Sequence, residues 1–163
     1  MLIREMTLED ITQAVAIEQV CFSLPWSEKS FQDSITREDT LFLVCEELEE
    51  FSEEENFDSG FTRKNKITGY IGMYISFDEA NITNVAVLPE CRKKGYGNAL
   101  VTAAKQKAVE KQVERIFLEV RVSNVPAISL YQKMGFENLG IRKNFYDHPK
   151  EDANIMCCEL SFE

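Results

Sequence analysis

The chain has 163 residues and a formal net charge of -10, with 44% hydrophobic and 28% charged residues. That length fits one domain with a sizeable core, and the composition is that of an ordinary globular protein. Nothing in the chain resembles an extended basic face, which disfavours direct nucleic-acid binding, and no apolar run reaches the roughly 18 residues a membrane helix needs.

The N-terminus, MLIREMTLED, carries acidic residues where a signal peptide would carry its apolar stretch, which points to a cytoplasmic protein. Residues 2–6 read as a short strand. Thr7, with Asp10 three residues on, caps a helix running to about Phe22. SLPWSEKSF is a Pro-containing loop leading into a second short helix from Ser27. The strand LFLVCEE then enters EELEEFSEEENFD, residues 46–58, which holds eight acidic residues and no basic one. Such a run repels itself and predicts a solvated loop over about 46–65; its functional alternative is a lure for basic partners. Ile67–Phe77 and Asn81–Val87, separated by DEA, read as an antiparallel hairpin.

ECRKKGYGNALV opens a helix on which Leu100, Ala104 and Ala108 recur at helical spacing, and Arg115–Arg121 follows as a strand. Strand, helix and strand in that order predict a parallel pair with a right-handed crossover. A short helix, Asn124–Met134, ends at Gly135, a residue suited to a left-handed cap. Strands around Phe136–Tyr146 and Asn154–Phe162 close the chain as a hairpin. The whole predicts one α/β (α+β) domain over 1–163, a mixed sheet of about seven strands with a central parallel pair, flanked by about four helices.

Five cysteines without CxxC spacing argue for free thiols, and the adjacent Cys157 and Cys158 face opposite ways in a strand. His148 is the lone histidine, which makes a His-rich metal centre implausible and predicts no metal.

The glycine stretch has the makings of an anion site. The first N–H groups of a helix lack internal partners, and the helix dipole favours negative charge there. Gly95 and Gly97 let backbone approach a phosphate, while Arg92, Lys93 and Lys94 offset the acidity locally. The plain alternative is a tight strand-to-helix turn beside solvated cations. A Walker loop is excluded because no GK[ST] follows, and a dinucleotide fingerprint lacks its third glycine.

Arg92-Lys93-Lys94-Gly95-Tyr96-Gly97 resembles the Gln/Arg-x-x-Gly-x-Gly/Ala signature of GNAT-fold, acetyl-CoA-dependent N-acetyltransferases. NVAVLPECRKKGYG, LEVRVSNVPAISLYQKMGF, RKNFY, EDANIM and PWSEKSF together resemble the RimI-type branch, the ribosomal-protein alanine N-acetyltransferases, over nearly the whole chain. The acidic segment departs from that pattern by its length. The resemblance implies that the anion is the diphosphate of acetyl-CoA, held by backbone N–H groups from Lys93 to Asn98. It places Val85, Ala86 and Val87 along the pantetheine arm, positions that otherwise read as core strand. Asn124 matches a further cofactor contact; its alternative role is capping the next helix.

Acetyl transfer to an amine needs a neutral amine and a proton for the departing thiolate. An α-amine has a pKa of about 7.7–8.0 against about 10.4 for lysine, so an α-amino acceptor needs only a modest base. In IFLEVRV, alternation sets Phe117, Glu119 and Arg121 on one strand face. A carboxylate there needs a partner, such as Arg121 or another cation, or a purpose; the resemblance makes Glu119 the general base, acting through water. Tyr131 lies in a stripe with Ala127, Leu130 and Met134 that suits core packing, while the resemblance makes it the general acid.

Cys91, beside Arg92 and Lys93, is a competing covalent nucleophile, but no histidine base accompanies it. Trp26 and Tyr146 resemble positions walling the acceptor peptide, and each also suits structural packing. The implied partner is the N-terminus of a protein, such as a small-subunit ribosomal protein. Rival functions are acetylation of small-molecule amines, a non-catalytic acyl-CoA-binding module and a dinucleotide-binding subunit.

Overall fold

The computed structural model describes residues 1–47 and 65–161. Most of the predicted acidic loop therefore lies outside the described residues. Glu46 and Glu47, at its start, belong to a strand.

The chain order is β1 (Leu2–Glu5), α1 (Ile11–Cys21), α2 (Glu28–Ile35), β2 (Thr40–Glu47), β3 (Lys66–Ser76), β4 (Glu79–Val87), α3 (Tyr96–Glu110), β5 (Arg115–Arg121), α4 (Val125–Lys133), β6 (Glu137–Asp147) and β7 (Lys150–Glu159). The strands form one seven-stranded sheet in the order β1-β2-β3-β4-β5-β7-β6. Every neighbouring pair is antiparallel except β4 and β5, the predicted parallel pair.

Alternation along each strand feeds two cores, because successive side chains leave opposite faces of the sheet. On β2, Leu41, Leu43 and Cys45 join the core under α3 and α4, while Phe42 and Val44 join the core under α1 and α2. The predicted stripe of α3 is buried, with Leu100, Ala104 and Ala108 at most 1% exposed. Gly135 ends α4 with φ 88°.

Several boundaries differ from the sequence reading, and β4 begins at Glu79 rather than Asn81, so most of DEA is strand. Residues Leu8–Asp10 form a 3-10 turn ahead of α1, where Asp10 accepts from the backbone N of Thr7 at 2.8 Å and from Arg4. The last strand begins at Lys150 rather than near Asn154, pairing with β6 from Asp147↔Lys150. Charged residues fill its first half, yet the pairing there with the edge strand β6 uses backbone groups.

Candidate active site

The parallel ladder between β4 and β5 runs only from Glu79↔Arg115 to Ile82↔Leu118. Beyond it β4 stays with β3 and β5 stays with β7, so the two strands part. A bulge drives the parting. Met73 pairs with Ile82 and Gly72 with Asn84, leaving Thr83 as the extra residue on β4; an extra residue bends its strand and increases the twist. A cavity of about 530 Å³ opens where they part, and Trp26, Val85, Glu119, Asn124, Tyr131 and Tyr146 all line it.

Glu119 shares its strand face with Phe117 and Arg121, all half-buried, as alternation predicts. The carboxylate does meet a cation, but it is Arg142 of β6, with Nη1 3.2 Å from Oε1. Arg121 pairs instead with Glu151 at 3.2 Å and lies over the Tyr146 ring at 4.2 Å. Tyr131 is 7% exposed and packs against Phe136 with ring centroids 5.7 Å apart. Its hydroxyl has no hydrogen-bond partner among the described residues. Burial, with a smaller contribution from Tyr146, pushes this phenol well above its ordinary pKa. The Tyr131 hydroxyl therefore stays protonated at neutral and moderately alkaline pH.

The two aromatic walls are anchored differently. Trp26 is half-buried against Phe31 and Phe42, with centroids 5.4 and 6.0 Å away, so it is core anchor and cavity lining at once. The Tyr146 hydroxyl donates to the Glu119 carbonyl at 3.3 Å, and burial raises its pKa. The loop after α1 meets the β6–β7 turn where the Ser23 hydroxyl donates to the carbonyl of His148.

The glycine stretch lies at the start of α3 and does not line that cavity. Lys93 and Gly95 hold positive φ values of 62° and 88°, and the second suits glycine because a Cβ is strained there. From Lys93 to Asn98 no backbone N–H finds a partner among the described residues; the first of α3 to do so is that of Ala99, bonded to the Gly95 carbonyl at 3.0 Å. Arg92, Lys93, Lys94 and Asn98 are exposed. Tyr96 turns its side chain into the core at 7% exposure, leaving only its backbone outward. A Cβ on Gly97 would sit 3.1 Å from Leu130, so this glycine lets α3 approach α4. Free amides, a left-handed turn and three cations fit a diphosphate.

Of the remaining predicted residues, Ala86 is 3% exposed in the core under α1, while Val85 and Val87 are half-buried on the parted segment. The Val87 carbonyl accepts from Arg92 Nε at 3.1 Å. Asn124 does cap α4, accepting from the backbone N of Ala127 at 3.3 Å. Cys91 is 3% exposed within the core and does not line the cavity. All five cysteines are free thiols. Among the described residues no cluster of His, Cys, Asp and Glu has the makings of a metal site, and no helix is long and apolar enough to cross a membrane.

Sequence reasoning missed three residues of this region. Glu18 and Asn84 line the cavity, and Arg142 pairs with Glu119. Glu18 left a signal, as a charge in the stripe Ile11, Ala14, Ile17, Glu18, Cys21. Arg142 left none, because its reach depends on the register of β6 through β7 to β5.

The profile of the Acetyltransferase (GNAT) family matches residues 11–136. A Bacillus subtilis (strain 168) protein, provisionally named a ribosomal protein bS18-alanine N-acetyltransferase, is 38% identical over 155 residues, covering 94% of this chain and 92% of its own. The ribosomal protein bS18-alanine N-acetyltransferase of Escherichia coli (strain K12) is 30% identical over 161 residues, covering 98% of this chain and 97% of its own. The crystal structure of the ribosomal-protein-S18-alanine N-acetyltransferase from Escherichia coli superposes with a TM-score of 0.80 at 30% identity, covering 99% of this chain and 95% of that one.

Proposed function

We propose, for a chain that belongs to the acetyltransferase (GNAT) family, that it transfers the acetyl group of acetyl-CoA to the α-amine of a protein N-terminus, with the alanine of a bS18-type ribosomal protein as acceptor. A cytoplasmic site of action fits that acceptor. The observation that carries the reading is that Glu119, Tyr131, Trp26 and Tyr146 line one cavity where β4 and β5 part. An acid, a base and two aromatic walls around one opening suit amine acylation.

Acetyl-CoA supplies an activated thioester. The amides from Lys93 to Asn98 would hold its diphosphate, and the parted edge of β4 around Val85 and Val87 its pantetheine arm. Glu119 takes a proton, through water, from the acceptor nitrogen as that nitrogen bonds to the acetyl carbon. Tyr131 gives its hydroxyl proton to the sulfur as the carbon–sulfur bond breaks. An α-amine is neutral in roughly one molecule in ten at pH 7, so a carboxylate base suffices. The burial of Cys91 outside the cavity supports direct transfer over a covalent relay.

The test is mass spectrometry of bS18-type N-terminal peptides incubated with acetyl-CoA and the enzyme. Acetylation of the terminal α-amine is expected, lost on blocking that amine. Labelling confined to lysine side chains or to free small amines overturns the assignment.

A further inference from the structure

Glu18 presents an unusual arrangement. It sits on the buried stripe of α1 and is 1% exposed. No salt bridge reaches it among the described residues, yet a buried carboxylate is costly unless its oxygens are satisfied. Hydrogen bonds from three elements satisfy it. The Tyr70 hydroxyl of β3 donates to Oε1, Asn84 Nδ2 of β4 donates to Oε1 at 3.3 Å, and the backbone N of Trp26 donates to Oε2 at 2.8 Å.

The same residue also holds the other end of the loop. The Glu18 carbonyl accepts from the backbone N of Phe22 at 2.9 Å, closing α1. Between these two anchors Phe22, Ser23, Leu24 and Pro25 are exposed. The chain from α1 to Trp26 is thus held at both ends by Glu18, and between them by the bond from Ser23 to the His148 carbonyl. Burial, followed by the charge of Glu18, pushes the Tyr70 phenol far above its ordinary pKa, so this donor does not switch off at working pH.

Asn84 shows how firmly the carboxylate dictates its surroundings. Turning the amide over would set its oxygen against Glu18, so Nδ2 must face the carboxylate. Oδ1 is left buried without a donor among the described residues. Asn84 is also the first residue beyond the bulge that parts β4 from β5. Glu18 therefore ties the Trp26 loop to the strand segment across the cavity.

We infer that Glu18 is a positioning residue that sets the acceptor side of the cavity, by fixing Trp26 to the parted segment of β4, without touching the reacting atoms. The inference rests on the acetyl-transfer reading for its kinetic test and on geometry alone for its optical one.

Glu18→Gln keeps size but offers one acceptor oxygen in place of two, so one donor must face an amide N–H. Trp26 is the only tryptophan in the chain, which makes its emission a direct report on the loop. The variant is expected to show red-shifted emission and greater acrylamide quenching. Its acceptor KM should rise about tenfold with the acetyl-CoA KM unchanged, the signature of one lost binding wall. Ile17→Val, a packing cut on the same helix, is the control for general loosening. Unmoved emission in Glu18→Gln overturns the inference whatever the activity. So does a rise in both KM values together, or a kinetic pattern matching that of Ile17→Val. Should Glu18→Gln fail to fold, Glu18→Asp, which keeps the charge but shortens the reach, is read by the same criteria. Should the wild-type enzyme leave peptide α-amines unmodified, the proposed function fails while the emission test still decides the loop anchoring.

Discussion

On the proposed reading, the coenzyme end of the site, Lys93 to Asn98, offers backbone N–H groups from one continuous segment, shaped by two positive-φ residues and the start of α3. The acceptor end instead collects side chains: Trp26 from the loop after α1, Glu119 from β5, Tyr131 from α4 and Tyr146 from β6. Local backbone serves an invariant ligand, because amides bind a diphosphate whatever the neighbouring side chains are. Assembled side chains serve chemistry and acceptor choice, because those depend on functional groups that no single segment can supply. Changes at the first end should therefore alter coenzyme binding alone, and changes at the second should alter turnover or acceptor use.

The largest effect is expected at Tyr131. Its burial keeps the phenol protonated, and a positioned proton donor contributes on the order of 10²–10⁴ in rate, so Tyr131→Phe should lower kcat by that factor with the coenzyme KM retained. The sign of the pH dependence follows from the same burial. The phenol pKa is raised, so the rate should climb as the acceptor amine loses its proton, level off near pH 8–9, and show no falling limb from Tyr131 up to about pH 10. A pH–rate profile that falls between pH 8 and 10 in the wild type and flattens in Tyr131→Phe would contradict this. Glu119→Gln comes next, with kcat down by about a hundredfold. Stopped assays on a bS18-type peptide measure both.

The two ends were unequally legible in the sequence. The turn that exposes amides at the start of α3 was readable because its determinants are consecutive: three cations and two glycines at a helix start. The fold was readable for a related reason, since alternation in IFLEVRV and the stripe of α3 report burial directly. The resemblance picked out Glu119, Tyr131, Trp26 and Tyr146, which do line one cavity, but not what they touch. Glu119 was expected to meet Arg121 or another cation; Arg142 arrives from a strand two places away, through a register that no local pattern encodes. Glu18 was overlooked because a single acid in a helix stripe reads as noise until its three donors are brought together by β3, β4 and the loop.

A smaller effect is expected at the backbone end. Gly95 has open space where a Cβ would stand, so only its φ of 88° penalises a larger residue. The left-handed region costs a non-glycine residue about 1–2 kcal/mol, which Gly95→Ala can relieve only by turning amides away from the anion. The acetyl-CoA KM should rise roughly tenfold, with acceptor KM and the Trp26 emission unchanged. A loss of kcat without a change in coenzyme KM would show that this turn also controls the chemistry, and would break the division between the ends.

The smallest effect is expected at Arg142. Its ion pair with Glu119 joins a half-exposed guanidinium, 53% accessible at the side chain, to a carboxylate at 17%, and pairs open to solvent are worth about 0–1 kcal/mol. The guanidinium also lies 5.3 Å from the Phe145 ring centroid, a second hold on its position. Removing it leaves Glu119 on a strand still paired with β7 through Glu119↔Ile155, with its direction set by the pleat. Arg142→Ala should therefore reduce kcat/KM by about two- to fivefold, and added salt should shrink the gap between variant and wild type, since it screens exposed pairs. A loss approaching that of Glu119→Gln would mean that the ion pair, rather than the strand, aims the carboxylate.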